Sequence, residues 1–123
     1  MPSLSVDITA DPLRALSTAS LPLDNHILKA AVLFCPAANT WPGDAYASIR
    51  VCSGSPDPAT TVALLAAGYL SGSEALGWTG SLPVEPSSYL VAFIYSTTAA
   101  TYRLACSLWR PIIEDGRIVG LDP

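Results

Sequence analysis

Residues 88–110 read SYLVAFIYSTTAATYRLACSLWR, and their two-residue rhythm decides the fold. In 100–110, Tyr102, Leu104, Cys106 and Leu108 alternate with Arg103, Ala105, Ser107 and Trp109. That is the period of a strand with one face turned to a core. In 88–96 both alternate sets are apolar, Leu90, Ala92 and Ile94 against Tyr89, Val91, Phe93 and Tyr95. Such a strand belongs in the middle of a sheet, covered on both faces. Just downstream, IIEDGRIVGL (112–121) sets Asp115-Gly116 between apolar pairs, the signature of a hairpin turn.

The same rhythm continues upstream. AYASIRVCS (45–53) alternates Ala47, Ile49 and Val51 with Tyr46, Ser48, Arg50 and Cys52. ILKAAVLFC (27–35) reads as a strand with Leu28, Ala30, Val32 and Phe34 on one face and Lys29 opposite. ALGWTGSL (75–82) gives Leu76, Trp78 and Leu82 at even spacing. TTVALLAAGYL (60–70) is ambiguous: Asp57-Pro58 resembles a helix cap, and Val62, Leu65, Ala66 and Tyr69 have helical spacing, yet Thr60, Thr61 and the closing Gly-Tyr-Leu favour a strand. We read it as a strand. Eleven prolines and eight glycines cut the chain into these short segments without an internal repeat or a dividing linker. The expectation is an all-β fold: one antiparallel, jelly-roll-like β-sandwich over 1–123 with at most one short helix. Residues 1–24 are a candidate N-terminal arm and turn, and 25–123 the sandwich body. LSVDITA (4–10) is either an edge strand or an arm, and Asp11-Pro12 starts a candidate helical turn through LRALS.

Composition bounds what such a domain does. Charged residues make up 13% of the 123 positions, about half the usual ~25%. Half the residues are apolar, and mean hydropathy is +0.41. Some apolar surface therefore stays outside, and contiguous apolar surface marks a partner; the alternative is a well-packed monomer rich in alanine. The net charge of −4, with Lys29 as the only lysine and the arginines dispersed, argues against nucleic-acid binding. No apolar run approaches the ~20 residues of a spanning helix, and the opening residues lack the features of a secretory signal. Three cysteines, Cys35, Cys52 and Cys106, leave an odd thiol and read as buried hydrophobes of a reducing compartment.

Chemistry finds little foothold. The one histidine, His26, sits in a turn-like PLDNHI without a nucleophile motif around it. Glu114-Asp115 adjoin in a solvated turn, whereas a general acid needs burial; Asp44, Asp57 and Glu74 also fall in turn-like stretches. No metal-ligand spacing, phosphate loop or dinucleotide fingerprint is present, so neither catalytic residue, metal nor cofactor is expected. Outward aromatic and arginine side chains are the remaining candidates, because these types dominate interface hot spots. The alternation nominates Tyr46, Arg50, Arg103 and Trp109, with Trp109 equally readable as core under a second layer. Leu4, Val6 and Ile8 are the contacts of an arm that pairs with a neighbour. On that view deleting Met1 to Ala10 leaves a folded domain that no longer assembles. As a second reading, Trp41 in NTWPGD and Trp109 are stacking platforms for a carbohydrate.

The stretch GYLSGSEALGWTGSLPVEPSSYLVAFIYSTTAATYRLACSLWRP (68–111), with its short strands, proline-glycine turns, S-S-Y-L-V-A strand and closing W-R-P, resembles small β-sandwich accessory proteins of tailed phages. These are capsid decoration (cement) proteins and head- or tail-fibre domains. The resemblance implies a non-enzymatic virion component, often trimeric, that clamps a major capsid protein and partners itself; charge and apolar run length, as above, lead to the expectation of no nucleic-acid or membrane partner. It has no diagnostic motif and carries over no residue role.

Overall fold

The computed structural model describes residues 3–10, 17–23, 26–35, 41–72, 75–84, 87–95 and 100–122. Among the described residues nine strands follow one another: β1 (Ser3–Ala10), β2 (Ser17–Pro22), β3 (Ile27–Phe34), β4 (Trp41–Ser53), β5 (Thr61–Gly72), β6 (Leu76–Pro83), β7 (Ser88–Tyr95), β8 (Ala100–Glu114) and β9 (Arg117–Asp122). The first sheet has the order β1-β8-β3-β6, with β9 extending from β8; the second has the order β2-β7-β4-β5. Every pairing is antiparallel. Eight strands dealt between two sheets in this order form a jelly roll, two Greek keys laid face to face. No helix among the described residues is long and apolar enough to cross a membrane.

The alternation in 100–110 points where its pattern requires. Tyr102, Leu104, Cys106 and Leu108 are buried between the sheets, and Ala47, Ile49 and Val51 meet them from β4. The apolar strand β7 is interior and buried on both sides. The Asp115-Gly116 turn joins β8 to β9 with both residues at positive φ, 51° and 72°, matching the right-handed twist of a tight hairpin. Of the ambiguous 60–70 segment, residues 61–70 lie in β5. Its helix-like signal reduces to a single 3-10 turn at Pro58–Thr60, where the Asp57 carboxylate accepts from the Ala59 amide at 2.9 Å. The Thr60 hydroxyl donates to Ser55 and Asp57 carbonyls, closing the turn before it can propagate. The helical turn expected after Asp11-Pro12 falls outside the described residues.

Two expectations need correction. In β3 the pairing shifts between Leu28 and Ala30, so Lys29 is a bulge and the strand changes phase there. Leu28, Ala31 and Leu33 consequently face the core, while Ala30, Val32 and Phe34 face outward, half-buried. An even alternation cannot reveal an inserted residue. The arm is the other case. β1 is an edge strand of its own chain, paired residue for residue with β8 from Ser3↔Ser107 to Ala10↔Ala100. Ile8 is 3% exposed and belongs to the main core, with Val6 packed against it. Apolar positions 4, 6 and 8 thus point inward in one chain, although Leu4 at the strand start is still 36% exposed.

Candidate functional site

The outer face of the second sheet follows from the register of three strands. Tyr46 on β4 lies opposite Tyr69 on β5 and Tyr95 on β7. The three rings form a row: Tyr46 meets Tyr69 edge-on with centroids 5.0 Å apart and Tyr95 at 6.4 Å. Edge-to-face and tilted arrangements at these distances are attractive, because the ring quadrupoles oppose face to edge. Tyr69 is 72% exposed and Tyr95 43%. The next row joins Phe93, Ser48 and Ala67, and the one beyond it Val91, Arg50 and Leu64.

Arg50 closes a small satellite core on this face. Its guanidinium stands 5.4 Å from the Phe93 ring centroid, and donates to the Ser48 hydroxyl at 3.2 Å and the Thr61 hydroxyl at 3.4 Å. Beneath it Cys52, Val91 and Phe93 are almost wholly buried. A cation held over an aromatic ring and satisfied by hydroxyls covers the cluster without a carboxylate partner. Across β2, β5, β7 and residues 45–53 of β4, Arg50 is the one charged residue. Leu64, 57% exposed, extends the apolar surface beside it.

The outer face of the first sheet is built differently. Small residues occupy its middle: Ala30, Thr79 and Ser107 share one row, and Val32, Gly77 and Ala105 the next. The missing side-chain bulk leaves an open trough of about 480 Å³. At one end Arg103 donates to the carboxylate of its cross-strand neighbour Asp7 at 2.7 Å. That hydrogen bond, with the guanidinium charge, holds the Asp7 carboxyl below its usual value and raises Arg103. At the other end the Lys29 ammonium sits 5.0 Å from the Trp109 ring centroid and donates to the Ser81 hydroxyl. The Trp109 indole Nε1 is buried there without a partner.

The interface candidates read from the sequence therefore do not converge. Tyr46 and Arg50 share the second-sheet face, Arg103 and Trp109 lie on the opposite side of the molecule, and Leu4, Val6 and Ile8 point inward from β1. As a stacking platform Trp109 is compromised, since the Lys29 cation already covers a ring face. Trp41 begins β4 and pairs with Gly72 rather than lying in a loop, and its side chain is outside the described set. Asp44 also lies in β4, where the pairing skips between Pro42 and Ala45. Tyr69, Tyr95 and Leu64, the most prominent parts of the apolar face, were not singled out. Their signal was the tyrosine recurring on three strands, but only the register shows that the three align.

The thiols are placed for packing. Cys52 and Cys106 are buried and Cys35 is half-buried, all three free. Burial pushes the Cys106 thiol up to about 11 and raises Cys35, away from the nucleophilic thiolate. The His26 ring Nδ1 lies 3.1 Å from the Leu23 carbonyl, and its backbone links Leu23 and Val84, a turn-stitching role. Among the described residues no group of three His, Cys, Asp or Glu side chains converges as a metal site. No protein-family model matches the chain, and no curated protein matches it in sequence.

Proposed function

We propose that this protein is a non-enzymatic structural protein that works by surface association, joining copies of itself to each other and to a protein lattice. In its most specific form the reading is a decoration protein on the capsid of a tailed phage, with the major capsid protein as partner and the virion as its location. One observation carries it: the second sheet turns outward a face on which residues 45–53 of β4, with β2, β5 and β7, contribute Arg50 as their one charge and leave Tyr69, Leu64 and Tyr95 exposed. A face so poor in charge and rich in tyrosine has the composition of an interface centre. The jelly-roll topology adds support by analogy of fold alone, since viral capsid and lectin domains use it.

The test is cosedimentation with empty, expanded tailed-phage capsids stripped of accessory proteins, together with the solution mass from light scattering. Saturable binding is expected, with Tyr95→Asp left in the supernatant while melting like the parent chain. A mass of 12.8 kDa at all concentrations and no binding across a capsid panel would refute the reading. A second reading, carbohydrate binding as in a phage fibre or tail module, draws on the tyrosine row, whose adjacent rings offer stacking faces to a sugar. A glycan array separates the two: retention that is lost in Tyr69→Ala supports the carbohydrate reading, and silence across the array removes it.

A further inference from the structure

An exposed strand edge offers unpaired amide and carbonyl groups to any passing strand, and folded proteins blunt such edges with charge, proline, shortness or bulges. Four of the free edges here carry such a device. β1 carries Asp7, ion-paired to Arg103. β2 has six residues and ends at Pro22. β6 ends at Pro83 and has the Lys29 ammonium anchored on Ser81. β9 begins at Arg117 and ends at Asp122. β5 is different: its 12 residues, TVALLAAGYLSG, include no charge and no proline. Two bulges near its start, at Val62 and Leu65, disturb the pairing with β4, but Ala66–Leu70 then pairs one for one with Ala45–Ile49. That regular stretch borders β4 on one side and, among the described residues, has no hydrogen-bonded strand on the other.

We propose that β5 is a homodimerisation edge, pairing antiparallel with β5 of a second copy so that two four-stranded sheets become one. The inference rests on the assembly reading above and names its self-contact. The occupant follows from the strand's self-complementarity. With the two-fold axis at Gly68, Tyr69 lies opposite Ala67 of the second copy on the outer face, and Leu70 lies opposite Ala66 on the inner face. Both rows set a large side chain against a small one. At the axis itself Gly68 faces Gly68 of the second copy, so no side chain stands between the two rows. Each chain carries a net charge of −4, yet none of its acids lies on β5, and pairing here brings no like charges together. The joined sheets also bring two tyrosine rows onto one continuous face, enlarging the surface assigned to the lattice. Such a contact is isologous and closes at two copies, whereas the phage resemblance implies three.

Light scattering on the full chain is expected to give twice 12.8 kDa. Hydrogen exchange should show amide protection within Ala66–Leu70 that rises with protein concentration. Ala67→Lys places a cation on an exposed edge position beside Tyr69 of the copy. It should raise the dimer dissociation constant by about tenfold or more, with a thermal midpoint that matches the parent's once both are diluted to monomer. Tyr95→Asp, on an interior strand, should leave the dimer intact. A trimer, a dimer insensitive to Ala67→Lys, or protection at 66–70 that ignores concentration overturns the edge inference. The first two leave assembly standing through another contact; a monomer that also fails to bind capsids removes both. If Ala67→Lys fails to fold, exchange on the parent chain decides alone.

Discussion

Ile8 separates the two readings of the first ten residues, because it is a core side chain in one and a free contact in the other. In the structure it is 3% exposed, lies opposite Tyr102 and is part of the main core cluster. Ile8→Ala removes buried side-chain volume near a sheet edge, where neighbours relax only in part. Large-to-small substitutions of this kind cost about 2–5 kcal/mol. We take about 3 kcal/mol, since the edge position permits some collapse, and for a chain of 123 residues that lowers the thermal midpoint by roughly 10–15 °C. Urea unfolding followed by far-UV dichroism measures it, as a lower midpoint with unchanged slope. By the same reasoning deletion of Met1 to Ala10 strips β8 of its β1 neighbour and unfolds the domain, contrary to the expectation for an arm. An arm would give the opposite result for the point variant: stability within about 0.5 kcal/mol of the parent and a loss of assembly. A shift that small would refute the placement of β1.

Three further outcomes follow from the same coordinates. The folded chain holds the Cys106 proton more tightly than an unfolded chain does, with the thiol raised from 9.0 to about 11. This contribution is therefore full below pH 9 and is lost as the pH climbs through 11; melting curves should show a steeper slope in the parent than in Cys106→Ala, which keeps the contribution of the likewise raised Cys35. For Asp7, carboxyl titration by NMR should fall below the ordinary 3.8 and return toward it in Arg103→Gln, whereas an unmoved titration would mean the ion pair does not persist in solution. Gly116→Ala, at φ 72° in the hairpin turn, should cost about 1 kcal/mol in urea unfolding; no loss would show that the turn is not left-handed.

The strands were legible because burial on one face forces a two-residue period, and Leu104, Cys106 and Leu108 keep it without interruption. The hairpin at Asp115-Gly116 was legible for a local reason, since few residues tolerate positive φ. Where a residue is inserted, as at Lys29, the pattern on either side stays regular and the phase change is invisible. The apolar face was less legible still. Tyr46, Tyr69 and Tyr95 lie far apart in the chain, and nothing local to each places them in one row. Arg50 shows the same limit: alternation assigns it a face, but its position over Phe93 depends on a strand more than forty residues away.

Sequence alone determined that this chain makes antiparallel strands around an apolar interior, that its net charge is −4, and where its tightest turn lies. These depend on side-chain period, net charge and backbone sterics, all local or additive. Tertiary structure decided that β1 belongs to its own domain, that the eight main strands deal into a jelly roll, that three tyrosines align and that the uncharged, proline-free β5 ends its sheet among the described residues. Alternation says which residues share a face; only the order and register of strands say what covers that face and what borders it.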